Sequence, residues 1–157
     1  MEINSNQGIY KITGRSSEEF PESPVKERAA YGIGICLSRQ KKYIKAEETL
    51  RNFLFKYPHS DLADHAQFQL GKILLEREYH QSAAEEFLEL LTAPSSLEVE
   101  RKSRELLAES YFRHAIQTNR LEDFRRSIQI DERLLKRKAN RTVYRRLARS
   151  YEKNGQK

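Results

Sequence analysis

Small and apolar residues recur along this chain at spacings of three and four positions, which is the period of an amphipathic helix rather than that of a strand. In the first such stretch these residues are Ala30, Ile33, Gly34 and Leu37. A second stretch repeats the spacing with Ala46, Leu50, Phe53 and Leu54. The polar break between them, RQKK at 39–42, leaves room only for a tight turn, so the pattern predicts two antiparallel helices.

The same pattern returns 37 residues later along the chain. Residues 20–34 read FPESPVKERAAYGIG, and residues 57–71 read YPHSDLADHAQFQLG, with an aromatic-Pro pair, a Ser, an Ala and a Gly in step. Continuing this register predicts helical units at 20–58, 59–95 and 96–138, followed by a partial unit at 139–157. Residues 1–19 are predicted to form a flexible or extended arm.

Glycines inside the predicted helices indicate how the two helices of a unit pack. Gly34 and Gly71 each cost about 1 kcal/mol relative to alanine in a helix interior. We therefore expect a close approach of the second helix at each glycine, with Ala46 and Ala83 on the opposing side. In the third unit the second helix is expected about seven residues late, with its packing positions at Phe124, Ser127, Leu134 and Leu135.

This repeat resembles the tetratricopeptide repeat family, whose first helix carries a large apolar residue beside a small one and then an aromatic or aliphatic residue. In the first unit the matching residues are Ile33, Gly34, Leu37, Tyr43, Ala46, Leu50 and Pro58. In the later units the paired positions are Leu70-Gly71, Leu107-Ala108 and Leu147-Ala148. The resemblance implies an all-α fold, a right-handed α-α superhelix of about three and a half helical hairpins.

The 37-residue period and the aromatic-Pro-x-Ser junctions are similar to those of bacterial cell-envelope members of that family. These include the outer-membrane-assembly lipoproteins and the Tol-Pal-associated periplasmic protein. The resemblance favours the periplasm or cell envelope over the cytoplasm. The N-terminus lacks the organisation of a signal peptide, and no stretch approaches the roughly 20 apolar residues of a membrane span. A mature fragment would look the same, so the compartment stays open.

A second stripe can be drawn beside the core stripe on the first helix of each unit. In the first two units it consists of Arg28, Tyr31, Ile35, Arg39, His65, Phe68, Lys72 and Leu75. The family resemblance implies that this stripe lines a concave groove. The predicted partner-binding residues there are Arg28, Tyr31, Ile35, Arg39, Phe68 and Lys72. Such a groove suits a peptide or helix of another protein with apolar and acidic residues. Alternatively, Tyr31 and Phe68 contact the adjacent hairpin.

Positive charge is concentrated at the C-terminal end of the chain. Residues 101–157 hold 17 Lys and Arg against 7 Asp and Glu, whereas residues 1–100 hold 12 against 16. Arg141, Arg145 and Arg149 share one face of the last predicted helix, with Arg146 nearby. Like charges at this spacing repel one another, and no acidic residue of that helix obviously relieves them. Arg145 and Arg149 are therefore predicted to contact an acidic partner.

A solvated surface, nucleic-acid or other polyanion binding, and self-association would each also account for this basic end. Nucleic acid is less favoured because few aromatic residues are interleaved with the basic ones. Self-association would use apolar residues that the incomplete last unit leaves exposed around Leu147 and Tyr151. The sequence thus allows a homo-oligomer as well as a complex with another protein.

Residue patterns that would support catalysis are absent from the sequence. The four histidines, His59, His65, His80 and His114, are not spaced as a metal-binding pair with a carboxylate, and a structural role suits each of them. Cys36 is expected to be a small buried thiol inside a helix. We therefore expect neither enzymatic activity nor a cofactor or metal. The sequence favours a protein-binding scaffold, and the family resemblance adds a role in bacterial envelope assembly.

Overall fold

The computed structural model describes residues 24–137 and 140–155, and these residues form helices joined by short connections, without a strand. Seven helices follow one another in these ranges: α1 (Pro24–Arg39), α2 (Tyr43–Lys56), α3 (Ala63–Glu76), α4 (His80–Leu90), α5 (Leu97–Thr118), α6 (Leu121–Arg137) and α7 (Arg141–Asn154). The predicted all-α class is therefore confirmed for this part of the chain. The arm predicted at 1–19 lies outside the described residues.

Each helix packs against the next one along the chain, so that α1–α2, α3–α4 and α5–α6 form three hairpins. The odd-numbered helices also contact one another: α1 with α3, α3 with α5, and α5 with α7. The even-numbered helices stay further apart. Within the described ranges, no Cα atom of α2 lies within 8 Å of one in α4, and none of α4 lies within 8 Å of one in α6. The odd-numbered helices therefore form a continuous row.

Each hairpin turn contains one residue in the left-handed region of backbone conformation. These residues are Lys41 (φ 58°), Glu78 (φ 63°) and Asn119 (φ 57°). Lys41 and Glu78 are 37 residues apart, so the turn geometry repeats with the sequence. Glycine and asparagine adopt this conformation most readily. A lysine or a glutamate in the sequence therefore does not indicate a left-handed residue. The exact turn residues could not have been predicted in the first two hairpins.

The glycines predicted to allow close helix packing do so in both of the first two hairpins. A Cβ atom added at Gly34 would lie 2.6 Å from Cδ2 of Leu50, and one added at Gly71 would lie 2.7 Å from the ring of Phe87. Leu50 and Phe87 have no exposed surface. The predicted close approach is confirmed, and the side chains nearest to the glycines are these two large ones. Ala46 is also fully buried, in the cluster that contains Leu50.

The third hairpin has a longer first helix and a later second helix. Helix α5 has 22 residues, against 14 in α3. Helix α6 begins 41 residues after α4, whereas α4 begins 37 residues after α2, so its start is delayed by four residues rather than seven. Phe124 and Ser127 are nevertheless buried, because they lie a turn further into their helix. Leu134 and Leu135 are half-buried.

Two residues of α1 are more exposed than the sequence pattern predicted. Ile33 is 55% exposed, and Cys36 is exposed rather than buried. The residue 37 positions after Cys36 is Ile73, which is 1% exposed and packs in one cluster with side chains of α2. Among the described residues no helix precedes α1, so its corresponding face has no neighbour to bury it. The prediction for Cys36 was wrong for this reason, and the prediction for Ile33 was wrong as well.

Candidate functional site

Six of the predicted partner-binding residues lie on α1 and α3, which contact each other in the row of odd-numbered helices. The charged residues are exposed: Arg28, Arg39 and Lys72. The apolar and aromatic residues are half-buried: Tyr31, Ile35 and Phe68. Leu75, which the sequence pattern placed on the same stripe, is only 6% exposed and belongs to the core. That placement was wrong, because Leu75 faces the cluster that includes Leu107 and Tyr111 of α5.

The two aromatic residues contact the second helix of their own hairpin. The ring centroid of Tyr31 lies 6.0 Å from that of Phe53, at an interplanar angle of 55°. The ring centroid of Phe68 lies 5.9 Å from that of Phe87, in an edge-on arrangement. Burial raises the pKa of the Tyr31 phenol, and the charge of Arg39 opposes that shift. Each ring is thus anchored in the core and keeps only part of its surface available.

A lysine extends the aromatic surface of α3. The Nζ atom of Lys72 lies 5.9 Å from the ring centroid of Phe68, within the range of a cation–π interaction. The two residues are four positions apart and therefore neighbours on the helix surface. Because Lys72 itself is exposed, this pair presents a cation over the ring of Phe68.

The same positions of the repeat can be followed into α5 and α7. Thirty-seven residues after Phe68 and Lys72 the chain has Glu105 and Glu109, and 40 residues further it has Arg145 and Arg149. The row of odd-numbered helices therefore changes from aromatic and basic residues in α1 and α3 to acidic residues in α5 and basic residues in α7. Arg145 and Arg149 are exposed, and neither makes an ion pair with any part of the chain that the structure describes.

Arg146, which the sequence grouped with the unrelieved cations of the last helix, is instead buried and fully paired. Its side chain is 4% exposed. Its Nε and Nη2 atoms donate hydrogen bonds to the two carboxylate oxygens of Asp131 on α6, at 2.9 and 2.5 Å. Its Nη1 atom donates to Glu109 on α5 at 2.9 Å. The sequence could not show this, because both carboxylates come from other helices.

The pKa values of Arg146 and Glu109 in this network are shifted towards the charged form, whereas burial raises the pKa of Asp131 against the opposing effect of Arg146. Burial opposes the charge of Arg146, but its hydrogen bonds to Asp131 and Glu109 outweigh that effect, and the pKa of the guanidinium is raised. Burial also opposes the charge of Glu109, and by itself it would raise the pKa of this carboxyl. Hydrogen bonds from Arg113 and Arg146 outweigh it, so the pKa of this carboxyl is lowered from 4.5. The hydrogen bonds of Arg146 to Asp131 and Glu109 therefore join α5, α6 and α7.

The apolar residues that the sequence assigned to an open face of α7 are partly covered. Leu147 and Tyr151 are half-buried, and the hydroxyl of Tyr151 donates a hydrogen bond to the carboxylate of Glu132 on α6. The buried face of α7 is instead formed by Val143, Arg146 and Ser150. Ala148 is exposed, unlike Ala108 at the matching position of α5.

The histidines have separate surroundings in the structure. His59 and His65 are exposed, His80 is buried, and Nδ1 of His114 lies 2.8 Å from a carboxylate oxygen of Asp123. Within residues 24–137 and 140–155, no group of three or more His, Cys, Asp or Glu side chains is arranged to hold a metal ion. In the same ranges, none of the helices is both long and apolar enough to cross a bilayer.

Comparison with known proteins gives a short region of similarity. No protein-family model matches the chain. Two proteins from Pseudomonas putida, both called Cell division coordinator CpoB, are each 40% identical to it over 55 residues. The aligned region covers 35% of this chain and 20% of each relative. The similarity links part of the chain to proteins named for cell division, and the rest of those proteins has no counterpart in the alignment.

Proposed function

We propose that this protein is a non-enzymatic scaffold that binds a peptide or helix of another protein along its odd-numbered helices. In this proposal the helices form a superhelix of the tetratricopeptide type, and the odd-numbered row lines its concave side. The scaffold takes part in coordinating cell division in a bacterial envelope. The observation that carries the proposal is the continuous row formed by α1, α3, α5 and α7.

The spacing of the helices supports a curved array. The odd-numbered helices contact one another, whereas the backbones of the described even-numbered helices do not approach within 8 Å. A stack whose units are closer on one side than on the other bends towards the closer side. Stacked helical hairpins that bend in this way present an extended concave binding surface. The inner side would then belong to α1, α3, α5 and α7.

The side chains on that row support a partner with both apolar and acidic groups. Parts of Tyr31, Ile35 and Phe68 are accessible, while Arg28 and Lys72 beside them are exposed cations. Aromatic and arginine side chains are enriched among residues that dominate protein interfaces. Arg145 and Arg149 occupy the matching positions of α7 and would extend the contact to a second acidic stretch.

The similarity to the cell division coordinators supports the proposed biological setting. It covers 55 residues at 40% identity, which is a fifth of each of those proteins. A shared role in division would show as altered cell length when the gene for this chain is deleted. Cells of normal length and normal septum spacing in the deletion strain would contradict this part of the proposal.

Site-specific photo-crosslinking tests the binding row directly. A photoreactive amino acid would replace Arg28, Arg39 or Lys72 in turn, in cells that express the chain from its own promoter. These residues are exposed, so the substitution leaves the core intact. We expect the same partner protein to be crosslinked from α1 and from α3, as judged by mass spectrometry of the adducts.

Positions on the other side of the array provide the matched control. Lys45 and Phe55 of α2 are exposed, and Phe55 is 91% exposed. Crosslinking from these two positions should not give the same partner. Equal adducts from α2 and from the odd-numbered helices, or none from α1 and α3, would remove the row as the binding surface.

A further inference from the structure

A basic cavity lies where the start of α5, the end of α6 and the start of α7 meet. Its volume is about 670 Å³, which is within the range of about 300–1,000 Å³ typical of ligand sites. Five of its lining residues are cations, and one is an acid. The cations are Arg101, Arg104, Arg133, Lys136 and Arg137. The cavity therefore combines the size of a binding site with a strong excess of positive charge.

The carboxylate in the cavity does not neutralise this excess. One oxygen of Glu105 accepts a hydrogen bond from the side-chain amide of Asn140 at 3.1 Å. The other lies 3.7 Å from Nη1 of Arg101. Arg104 is paired separately with Glu100, at 3.0 Å. Two of the five cations thus have acidic neighbours on their own helix.

The remaining three cations are on α6, and none of them has an acidic partner in the part of the chain that the structure describes. Arg133, Lys136 and Arg137 make no ion pair with any group in residues 24–137 and 140–155. The negative end of the α6 dipole favours Lys136 and Arg137 in the last turn of that helix. That effect does not explain why Arg133 and the two arginines of α5 border the same cavity. Their convergence leaves a site that an anionic group would stabilise.

Apolar side chains complete the cavity. Val143 of α7 is 1% exposed, Leu134 of α6 is half-buried, and Leu97 of α5 is 81% exposed. All three border the cavity beside the cations. The helix-capping group nearby is already satisfied, because the side-chain oxygen of Asn140 accepts hydrogen bonds from the backbone amides of Thr142 and Val143. The lining of the cavity therefore combines cations with apolar side chains.

We propose that this cavity binds an acidic peptide segment that carries one bulky apolar side chain. Guanidinium groups bind carboxylates through paired hydrogen bonds, and clusters of arginines are a common way to recognise acidic motifs. The apolar residues would receive the anchor side chain. A nucleic-acid strand fits less well, since no aromatic residue among the lining residues offers a stacking surface for a base.

This proposal goes beyond the binding row of odd-numbered helices and does not depend on it. Glu105 belongs to both surfaces, so the cavity borders the row at α5. A partner could therefore use both, but each surface can be tested alone. Variants on α6 address the cavity, and variants on α1 and α3 address the row.

The test uses the full chain and a short fluorescein-labelled peptide of alternating Asp and Glu with one central Phe. Binding is measured by fluorescence anisotropy at low and at physiological salt. Reversing two unpaired cations, in Arg133→Glu/Arg137→Glu, should weaken binding by about tenfold or more, because hydrogen bonds to charged groups are lost. Replacing the Phe of the peptide by Ser should weaken binding by about threefold or more.

The matched control is Arg125→Glu/Lys153→Glu, which makes the same charge change outside the cavity, with one residue on α6 and one on α7. Both residues are exposed, and neither borders the cavity. The control variant should change the affinity for the peptide by less than about threefold, because salt screens the interaction between exposed charges that lie far apart. Circular dichroism of both double variants should match that of the original protein.

Several results would overturn the proposal. They are equal losses in the two double variants, absence of peptide binding at low salt, and tighter binding of single-stranded DNA or anionic lipid vesicles than of the peptide. The variant Arg28→Glu/Lys72→Glu separates the two surfaces. It should still bind the peptide, and a loss there would place the peptide on the row rather than in the cavity.

Discussion

The first two hairpins and the junction of α5, α6 and α7 differ in the side chains that they bury between their helices. In α1 to α4 the buried side chains are apolar, with His80 as the exception: Ala46, Leu50, Phe53, Ala66, Leu70, Ile73, Leu74, Leu75, Ala83, Ala84, Phe87 and Leu90. At the junction they include many polar and charged groups: Ser103, Ser110, Asp123, Ser127, Asp131, Arg146 and Ser150. Both regions are close-packed helices, yet the first relies on apolar contact, whereas the second combines apolar contact with buried hydrogen bonds and ion pairs.

The difference shows in matching positions of the repeat. Ala66 of α3 is replaced after 37 residues by Ser103, and Ile73 by Ser110. The hydroxyl of Ser110 donates to the carbonyl oxygen of Leu106, within its own helix, at 2.8 Å. Apolar contacts tolerate small shifts, whereas a buried charge requires its partner. We therefore expect the C-terminal junction to depend on individual residues more sharply than the first two hairpins do.

The largest effect is expected from removing the buried arginine. Arg146→Met leaves Asp131, which has no exposed surface, without its counter-charge. Loss of one partner of a buried pair costs about 3–5 kcal/mol of the free energy of unfolding. Urea denaturation followed by circular dichroism would measure it.

The double variant Arg146→Met/Asp131→Leu should recover most of that loss, since an apolar pair can replace a buried ion pair at little cost. The recovery distinguishes lost charge compensation from simple loss of packing. A single variant that costs less than about 1 kcal/mol, as exposed pairs do, would show that the junction does not depend on this pair.

A smaller effect is expected at the glycine contacts of the apolar region. A methyl group at Gly71 would meet the Phe87 ring at 2.7 Å, so Gly71→Ala should destabilise the protein by about 1–3 kcal/mol. Gly32→Ala is the matched control on α1, because nothing lies within 4 Å of the added Cβ atom. It should stabilise by about 0.5–1 kcal/mol through helix propensity. Equal urea midpoints for both variants would contradict the close packing at Gly71.

Glu109 should make a pH-dependent contribution to the stability of the junction, opposite in sign to that of Asp131, whose pKa is raised by burial. The pKa of Glu109 in the folded protein is lowered from 4.5, with Arg113 and Arg146 outweighing burial. Its contribution is therefore fully present above its ordinary pKa and is lost as the pH falls through the lowered value. The difference in unfolding free energy between the original protein and Glu109→Gln should shrink on going from about pH 7 to about pH 3. A difference that grows on acidification would reverse the assigned sign.

The smallest effect is expected from an ion pair that joins the first two hairpins. Nη1 of Arg51 on α2 lies 3.0 Å from a carboxylate oxygen of Glu86 on α4. The Arg51 side chain is 47% exposed, so Arg51→Ala should cost about 0–1 kcal/mol. Thermal and urea unfolding curves that nearly overlap those of the original protein would meet this expectation. If Arg51→Ala lowered the free energy of unfolding as much as Arg146→Met does, the expected difference in sensitivity between the two regions would be wrong.

The sequence was most informative where the packing is apolar and periodic. The spacing of Gly34 and Gly71 correctly predicted close helix approach at both, because a glycine that recurs inside a helix needs a packing contact to offset its low helix propensity. It failed at Cys36, because helical spacing alone does not show whether a neighbouring helix covers a face. It also failed at Arg146, since its partners Glu109 and Asp131 come from other helices and only the fold brings them together.

The candidate binding surfaces were predictable to different degrees. The sequence placed Tyr31 and Phe68 at matching positions on the first helices of successive hairpins, and the structure has them on α1 and α3. It could not show that each ring also packs in its own hairpin, on Phe53 and Phe87. The basic cavity was visible only as a regional excess of positive charge. Which cations face one another depends on how the ends of α5 and α6 meet.

The exposed thiol of Cys36 on α1 allows the protein to be labelled for measurements of ligand binding. The chain has one cysteine, and it is accessible. A maleimide fluorophore would therefore attach at one known point without any genetic change. Helix α1 does not contact α5, α6 or α7, so the dye would sit apart from the basic end. Energy transfer to a labelled ligand would then report which end of the array that ligand occupies.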